Sequence, residues 1–151
     1  MKEKNSIIKS KTISKMSISV KAKEKNEHIV RQVVSSFLDQ LDISTEKLSD
    51  ISRAIKEVFL NCVRHAYADE KGNVLVRASI RENDLIYIVI SDTGCGIANA
   101  EEVISKSANS NGGFARIKNY ADEVYVTSIT SEDTLDDKGG TIVTLVFDIK
   151  E

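Results

Sequence analysis

The chain contains no proline and no tryptophan, and it has only two cysteines. It also lacks any uninterrupted apolar stretch of membrane-spanning length, which for a helix is roughly 18 residues or more. Each absence narrows the choice. Without proline, the breaks between helices and strands must come from Gly, Asn and Asp. Cys62 and Cys95 belong to no Cys-x-x-Cys pair, so the sequence reads as neither a disulfide framework nor a zinc site. The N-terminus is rich in Lys with isolated Ile and lacks the apolar core of a signal peptide. A cytoplasmic protein with no membrane partner is the expectation. Excess charge of one sign is missing too: 21 Lys and Arg stand against 23 Asp and Glu, giving a net charge of -2. Because the two signs are interspersed, nothing sequence-wide attracts nucleic acid, and no direct nucleic-acid partner is expected.

What is present suffices for one packed domain, since 41% of the 151 residues are apolar. Residues 1–15, with Lys2, Lys4, Lys9, Lys11 and Lys15, read as a solvated, disordered leader, and residues 16–151 as a single domain. Met16 to Ala22 alternates, with Ile18 and Val20 on one face, as a half-buried strand does. From Glu24 to Leu41, Val30, Val33, Val34, Phe37, Leu38 and Leu41 recur at steps of three and four, which predicts an amphipathic helix. Asp42 and Ser44 can end it and cap a second helix. That helix carries an apolar stripe of Leu48, Ile51, Ile55, Val58, Phe59, Cys62 and Ala66 and ends near Ala68. Asn73 to Ile80 and Leu85 to Ser91 flank the turn-forming Arg81-Glu82-Asn83-Asp84 and predict a hairpin. The second of these runs is apolar almost throughout, as in a strand that is central or covered on both faces. A short helix from Phe114 to Ala121 and strands at Glu123–Thr130 and Thr141–Ile149 complete the chain. Too few helices alternate with strands for a parallel Rossmann sheet, so the pattern predicts an α+β sandwich with helices on one face of a largely antiparallel sheet.

Three local patterns bear on chemistry. Glu57, Asn61 and His65 follow one another at steps of four, so they share a stripe at the edge of the second helix's apolar face. There a carboxylate can accept a proton while an amide oxygen one turn away ligates a hard cation such as Mg²⁺. Such a pair is also common on solvated helix edges. Asp92-Thr93-Gly94-Cys95-Gly96-Ile97 stands where the apolar strand ends. Its glycines allow close backbone approach to a flat ligand, and Asp92 offers an acceptor to an amino group such as that of adenine. The same six residues also suit an ordinary tight turn. Asn111-Gly112-Gly113-Phe114 opens a helix, where backbone N–H groups can cradle a phosphate, or it is a plain glycine linker.

Taken together and in this order, the three patterns resemble the GHKL superfamily of gyrase-type ATPases, histidine kinases and heat-shock chaperones. They correspond to its N, G1 and G2 boxes, and Gly139-Gly140-Thr141 is similar to its final Gly-Thr. The resemblance implies a two-layer sandwich of the histidine-kinase ATPase (Bergerat) type, with a mixed, mostly antiparallel sheet. Within the superfamily, the run from Glu57 to Tyr67 resembles the Glu-Ala-Val-x-Asn-Ala-x-x-His-Gly-Tyr of bacterial anti-sigma factors with serine kinase activity, the sporulation group above all. Asn26-Glu27, Arg31 and Ser36 to Asp42 resemble that group's first helix, and Gly113-Phe114 to Val124 its last.

That resemblance implies ATP and Mg²⁺ as cofactors, with Glu57 as general base toward a partner's serine. Asn61 would be the Mg²⁺ ligand, and His65 would lie beside the phosphates. Asp92, Gly94, Gly96, Ile97 and Thr141 would form the adenine pocket, with Gly112, Gly113 and Phe114 at the phosphates. Arg31 would lie on a partner surface. The implied function is to hold an RNA polymerase sigma factor as a homodimer and to phosphorylate an anti-anti-sigma protein, a transcription-regulating switch of sporulation type. Two departures bear on phosphate transfer. Asn111 stands where the group usually has a first glycine, and the segment from Ala98 to Ser110 is shorter than the usual lid, leaving Ser105 and Lys106 as its groups for the γ-phosphate. A sigma-binding module without kinase activity and a stand-alone histidine-kinase-type ATPase are therefore the alternatives.

Overall fold

In a computed structural model, residues 11–66, 72–92, 113–129 and 140–150 are described. The elements run β1 (Thr12–Lys21), α1 (Asn26–Leu38), α2 (Thr45–Ala66), β2 (Asn73–Arg81), β3 (Leu85–Asp92), α3 (Gly113–Tyr120), β4 (Glu123–Ile129) and β5 (Gly140–Asp148). Strand β3 is central. The sheet order is β1-β2-β3-β5-β4, and every described pairing is antiparallel.

The period of two in the strands decides which face is covered. Val74, Val76, Ala78 and Ile80 of β2, Ile86, Ile88 and Ile90 of β3, and Val143, Leu145 and Phe147 of β5 are all buried, and they alternate with less buried neighbours except at Val146, which is buried on the opposite face of β5. They share one cluster with Val30, Val34 and Leu38 of α1, Ile51, Ile55, Val58 and Phe59 of α2, and Ile117 of α3. The helices therefore cover one face only. The near-continuous apolar run of β3 reflects its place between β2 and β5, and on its other face Leu85, Tyr87 and Val89 are half-buried. Each large side chain brought fully inside contributes about 1.5–3 kcal/mol, and Phe59 and Phe147 are the largest.

Local signals set most boundaries. Ser44 caps α2 by accepting from Lys47 N–H at 3.1 Å. Asp84, at φ 62°, turns the hairpin in the left-handed region that Asp tolerates better than most residues. Helix α1 is shorter at both ends than its apolar period predicts: Asn26 and Glu27 N–H turn back to the Lys23 and Glu24 carbonyls before it, and Asp39 and Leu41 N–H to the Ser36 and Leu38 carbonyls after it. Strand β1 begins at Thr12 rather than Met16, so residues 12–15 of the expected leader are in the sheet. No apolar alternation marks them, since Ile13 is exposed. What holds them is the ladder to β2, which pairs Lys15 with Ser79, Ser14 with Ile80 and Thr12 with Arg81.

A polar tie joins both layers at one end of the sheet. Asp122, between α3 and β4, accepts from Lys47 Nζ of α2 at 2.8 Å and from the N–H of Asp148 at 2.7 Å. Burial alone would raise its pKa. The hydrogen bonds from Lys47 and Asp148 and the ammonium charge outweigh that and hold it below the usual carboxylate value. A depressed folded-state pKa means that the stabilisation is complete above the unfolded pKa and is lost as pH falls through the folded one. Asp122→Asn should therefore melt a few degrees below the parent at pH 7, with the gap closing as thermal scans are taken below the ordinary carboxylate range. A gap that persists unchanged in acid would show that charge is not what the tie uses.

Candidate functional site

The amphipathic period of α2 places its apolar residues on the sheet and leaves Glu57 and Asn61 on the flank, one turn apart. Glu57 Oε1 accepts from Arg116 Nη1 of α3 at 3.3 Å, with the two side chains 22% and 57% exposed. So open an ion pair contributes less than about 1 kcal/mol to stability. Its structural content is placement: the first turns of α3 stand beside Glu57. Asn61 is half-buried, and its Nδ2 is fully enclosed without a hydrogen-bond partner among the described residues.

Behind Asn61 the helix meets the ends of two strands. Cys62 is 6% exposed, and its thiol is hydrogen-bonded with Asp92, the last residue of β3. Asp92 is 7% exposed, and its cross-strand partner is Thr141, near the start of β5, 2% exposed. Directly paired residues on antiparallel strands point to the same face, so Asp92 and Thr141 both project toward the helix layer. They are the only buried polar or charged residues among the described ones. Thr141 Oγ1 is enclosed and has no hydrogen-bond partner among the described residues. Burial pushes the Cys62 thiol well up from its usual pKa, and the Asp92 charge and hydrogen bond push it further, so the sulfur is protonated at neutral pH and able to donate.

An enclosed donor or acceptor with no partner costs about 1–3 kcal/mol, so two of them at one helix–strand junction call for a ligand or water to complete them. Cys62 thus links α2 to Asp92 and, through the strand pair, to Thr141, while Asn61 precedes it in sequence and Glu57 lies one turn before Asn61 along α2, beside α3. His65 follows Asn61 by a turn on α2, with its side chain outside the described residues. Gly113 is the first residue of α3 and Phe114 the second, the latter's side chain likewise outside. Gly94, Gly96, Ile97, Ser105, Lys106, Asn111 and Gly112 lie outside the described residues altogether. Arg31 is apart from this junction. It forms a bidentate pair with Glu27, with Nη2 to Oε1 at 3.1 Å, and Nη1 donates to Ser52 Oγ at 3.4 Å on the α1–α2 surface.

Sequence reasoning placed Cys62 in the core without its polar contact, and it passed over Arg116. The signal for Cys62 was its position directly after Asn61 on the side of α2 that meets the sheet. For Arg116 there was none, because a short helix with an exposed arginine looks the same whether or not a carboxylate faces it.

Comparison with known proteins identifies the family. Residues 20–147 match the family described as the histidine kinase-like ATPase domain, and the chain belongs to that family. Its curated relatives are more particular. The chain is 32% identical over 127 residues to the anti-sigma F factor of Caldanaerobacter subterraneus subsp. tengcongensis, covering 80% of this chain and 88% of that one. Over 90 residues it is 42% identical to the anti-sigma F factor of Clostridium perfringens, covering 59% of this chain and 64% of the relative. Among solved structures, the SiaB–SiaC complex from Pseudomonas aeruginosa has a chain that superposes with a TM-score of 0.66 at 11% identity, covering 97% of this chain and 96% of that one. The RsbU and RsbW domains of Rv1364c from Mycobacterium tuberculosis give a TM-score of 0.65 at 20% identity, covering 91% of this chain and 33% of that one. At such identities these two structures speak for the fold alone. A two-layer ATPase fold of α+β class is what they and the sheet order share.

Proposed function

We propose that this chain is an anti-sigma factor and protein serine kinase, holding an RNA polymerase sigma factor and using Mg·ATP to phosphorylate an anti-anti-sigma protein. Family membership supports nucleotide binding, and the names of the relatives support the sigma-factor partner. The observation that carries the enzymatic half is the junction of α2 with the ends of β3 and β5. There Asp92 and Thr141 are the only buried polar residues among the described ones, Asn61 on α2 also has an enclosed polar atom, and a partly exposed carboxylate stands one helical turn from Asn61.

The residues suit the groups assigned to them. Asp92 is an acceptor for the adenine amino group, and the Thr141 hydroxyl is a second polar contact at the base. Asn61, whose amide oxygen is a hard ligand, would hold Mg²⁺. The ion, when bound, neutralises charge that develops on the transferring phosphoryl group. Glu57 would take the proton of an incoming serine hydroxyl, so that the serine oxygen bonds to phosphorus as the bond to ADP breaks. Arg116 keeps one oxygen of Glu57 occupied and leaves the other for that proton. His65, Gly113 and Phe114 would flank the phosphates, and Gly94, Gly96, Ile97, Lys106 and Gly112 would complete the pocket. Arg31, braced by Glu27 and Ser52, presents a fixed guanidinium for a protein partner on the α1–α2 surface. No described helix is long and apolar enough to cross a membrane. A cytoplasmic homodimer, meeting sigma factor away from any membrane, is the form we propose.

The test is to incubate the purified chain with γ-labelled Mg·ATP, a sigma factor of the F type and a candidate anti-anti-sigma protein. Label should appear on a serine of the latter, and the sigma factor should co-elute with the chain. Sigma binding without transfer would instead support a binding module, and steady phosphate release with no protein acceptor would support a stand-alone ATPase.

A further inference from the structure

Among the described residues, the Cys62 thiol is a buried group at the junction that the proposed reaction leaves unused. It occupies the position directly after Asn61, on the side of α2 that meets the strand ends, and it reaches across to hydrogen-bond Asp92. A carboxylate on a strand end keeps rotational freedom about its last side-chain bond, and its two oxygens compete for the same ligand donor. A donor fixed on a helix removes that freedom. Thr141, paired directly with Asp92 across the strands, is more than nine-tenths buried with its hydroxyl oxygen unpartnered among the described residues. The polar surface at this spot is therefore larger than the thiol satisfies, as in a site that receives a polar ligand.

We infer that Cys62 is a positioning residue for base recognition: its S–H donates to one Asp92 oxygen and thereby commits the carboxylate to a fixed orientation toward a purine amino group. This rests on the adenine-binding reading of Asp92. The thiol serves as a donor and takes no part in phosphate transfer. A serine can replace that donation, whereas a small or branched apolar side chain cannot.

The experiment measures dissociation constants of the full chain for Mg·ATP and for Mg·ITP, whose base carries an oxo group in place of the amino group. The parent is compared with Cys62→Ala, Cys62→Val, Cys62→Ser and Asp92→Asn, each checked by a thermal scan. Loss of one hydrogen bond corresponds to a weakening of about three- to tenfold. Cys62→Ala and Cys62→Val should weaken ATP by that factor and ITP by less than about twofold, narrowing the preference, while Cys62→Ser keeps most of it. A purely structural role would weaken both nucleotides together and would not be rescued by serine. Valine retains side-chain volume, so a failure of the alanine variant to fold leaves the question answerable. If Asp92→Asn collapses the preference and the apolar Cys62 variants retain it, the positioning role is wrong and the adenine reading stands. If Asp92→Asn leaves the preference intact, the adenine reading is wrong and the role of Cys62 goes with it.

Discussion

Glu57→Ala should transfer phosphate to an acceptor protein about a hundred to ten thousand times more slowly than the parent, the range associated with removing a positioned general base. Binding of Mg·ATP should change little, because the proposed nucleotide contacts lie at Asn61 and at the strand ends. Stability should change little as well. Glu57 lies on the flank of α2 with its side chain 22% exposed, and its described contact is one open ion pair to an arginine that is 57% exposed. Truncation there opens no cavity and strands no buried charge, the two routes by which a single change unfolds a domain. The measurements are initial rates of labelled serine, a calorimetric titration and a melting curve. Glu57→Gln adds discrimination: it keeps the size and one acceptor oxygen but cannot take a proton. If the glutamine variant transfers within about threefold of the parent, Glu57 positions the partner and something else accepts the proton. A parallel loss in Arg116→Ala, with melting unchanged, would show that the guanidinium orients the carboxylate.

Much of the fold is legible in the sequence. The period of α2, the strand alternation and the turn at Arg81–Asp84 follow from side-chain spacing, a local property. The step of four that sets Glu57 and Asn61 on one stripe is also local, and both residues lie on the flank of α2. Contacts set by register were not legible. That Cys62 meets Asp92 depends on how far α2 slides along the sheet. That Arg116 meets Glu57 depends on where α3 docks, across 59 residues of sequence. The start of β1 was missed for a related reason. Thr12 to Lys15 are held by backbone pairing to β2, and a ladder between backbones leaves no signature in side-chain polarity. Arg31 shows the opposite limit. Its position on α1 could be read from sequence, but its hydrogen bond to Ser52 of α2 could not.

Asn61→Ala should move stability and function in opposite directions, and that opposition is the sharper test of the site. In the folded chain the Asn61 amide nitrogen is enclosed without a described partner, a state that costs about 1–3 kcal/mol. Alanine removes the orphaned donor and favours the helix by roughly 0.5 kcal/mol more than asparagine does. The variant should therefore melt at or above the temperature of the parent. If the amide oxygen ligates Mg²⁺, its loss should weaken Mg-dependent ATP binding by at least about a hundredfold, since even outer-shell partners of a metal contribute ten- to a hundredfold. Binding measured in EDTA should be nearly the same for both proteins, because the base contacts at Asp92 and Thr141 are untouched. Asn61→Asp separates charge from geometry: it keeps a hard oxygen ligand at the same reach and should recover much of the metal dependence. A residue retained only for packing would behave in the reverse way, with alanine costing stability and sparing metal-dependent binding. An asparagine that weakens its own helix and leaves its N–H donor unmet inside the fold is understandable if that donor meets an acceptor oxygen of the nucleotide while the amide oxygen faces the metal.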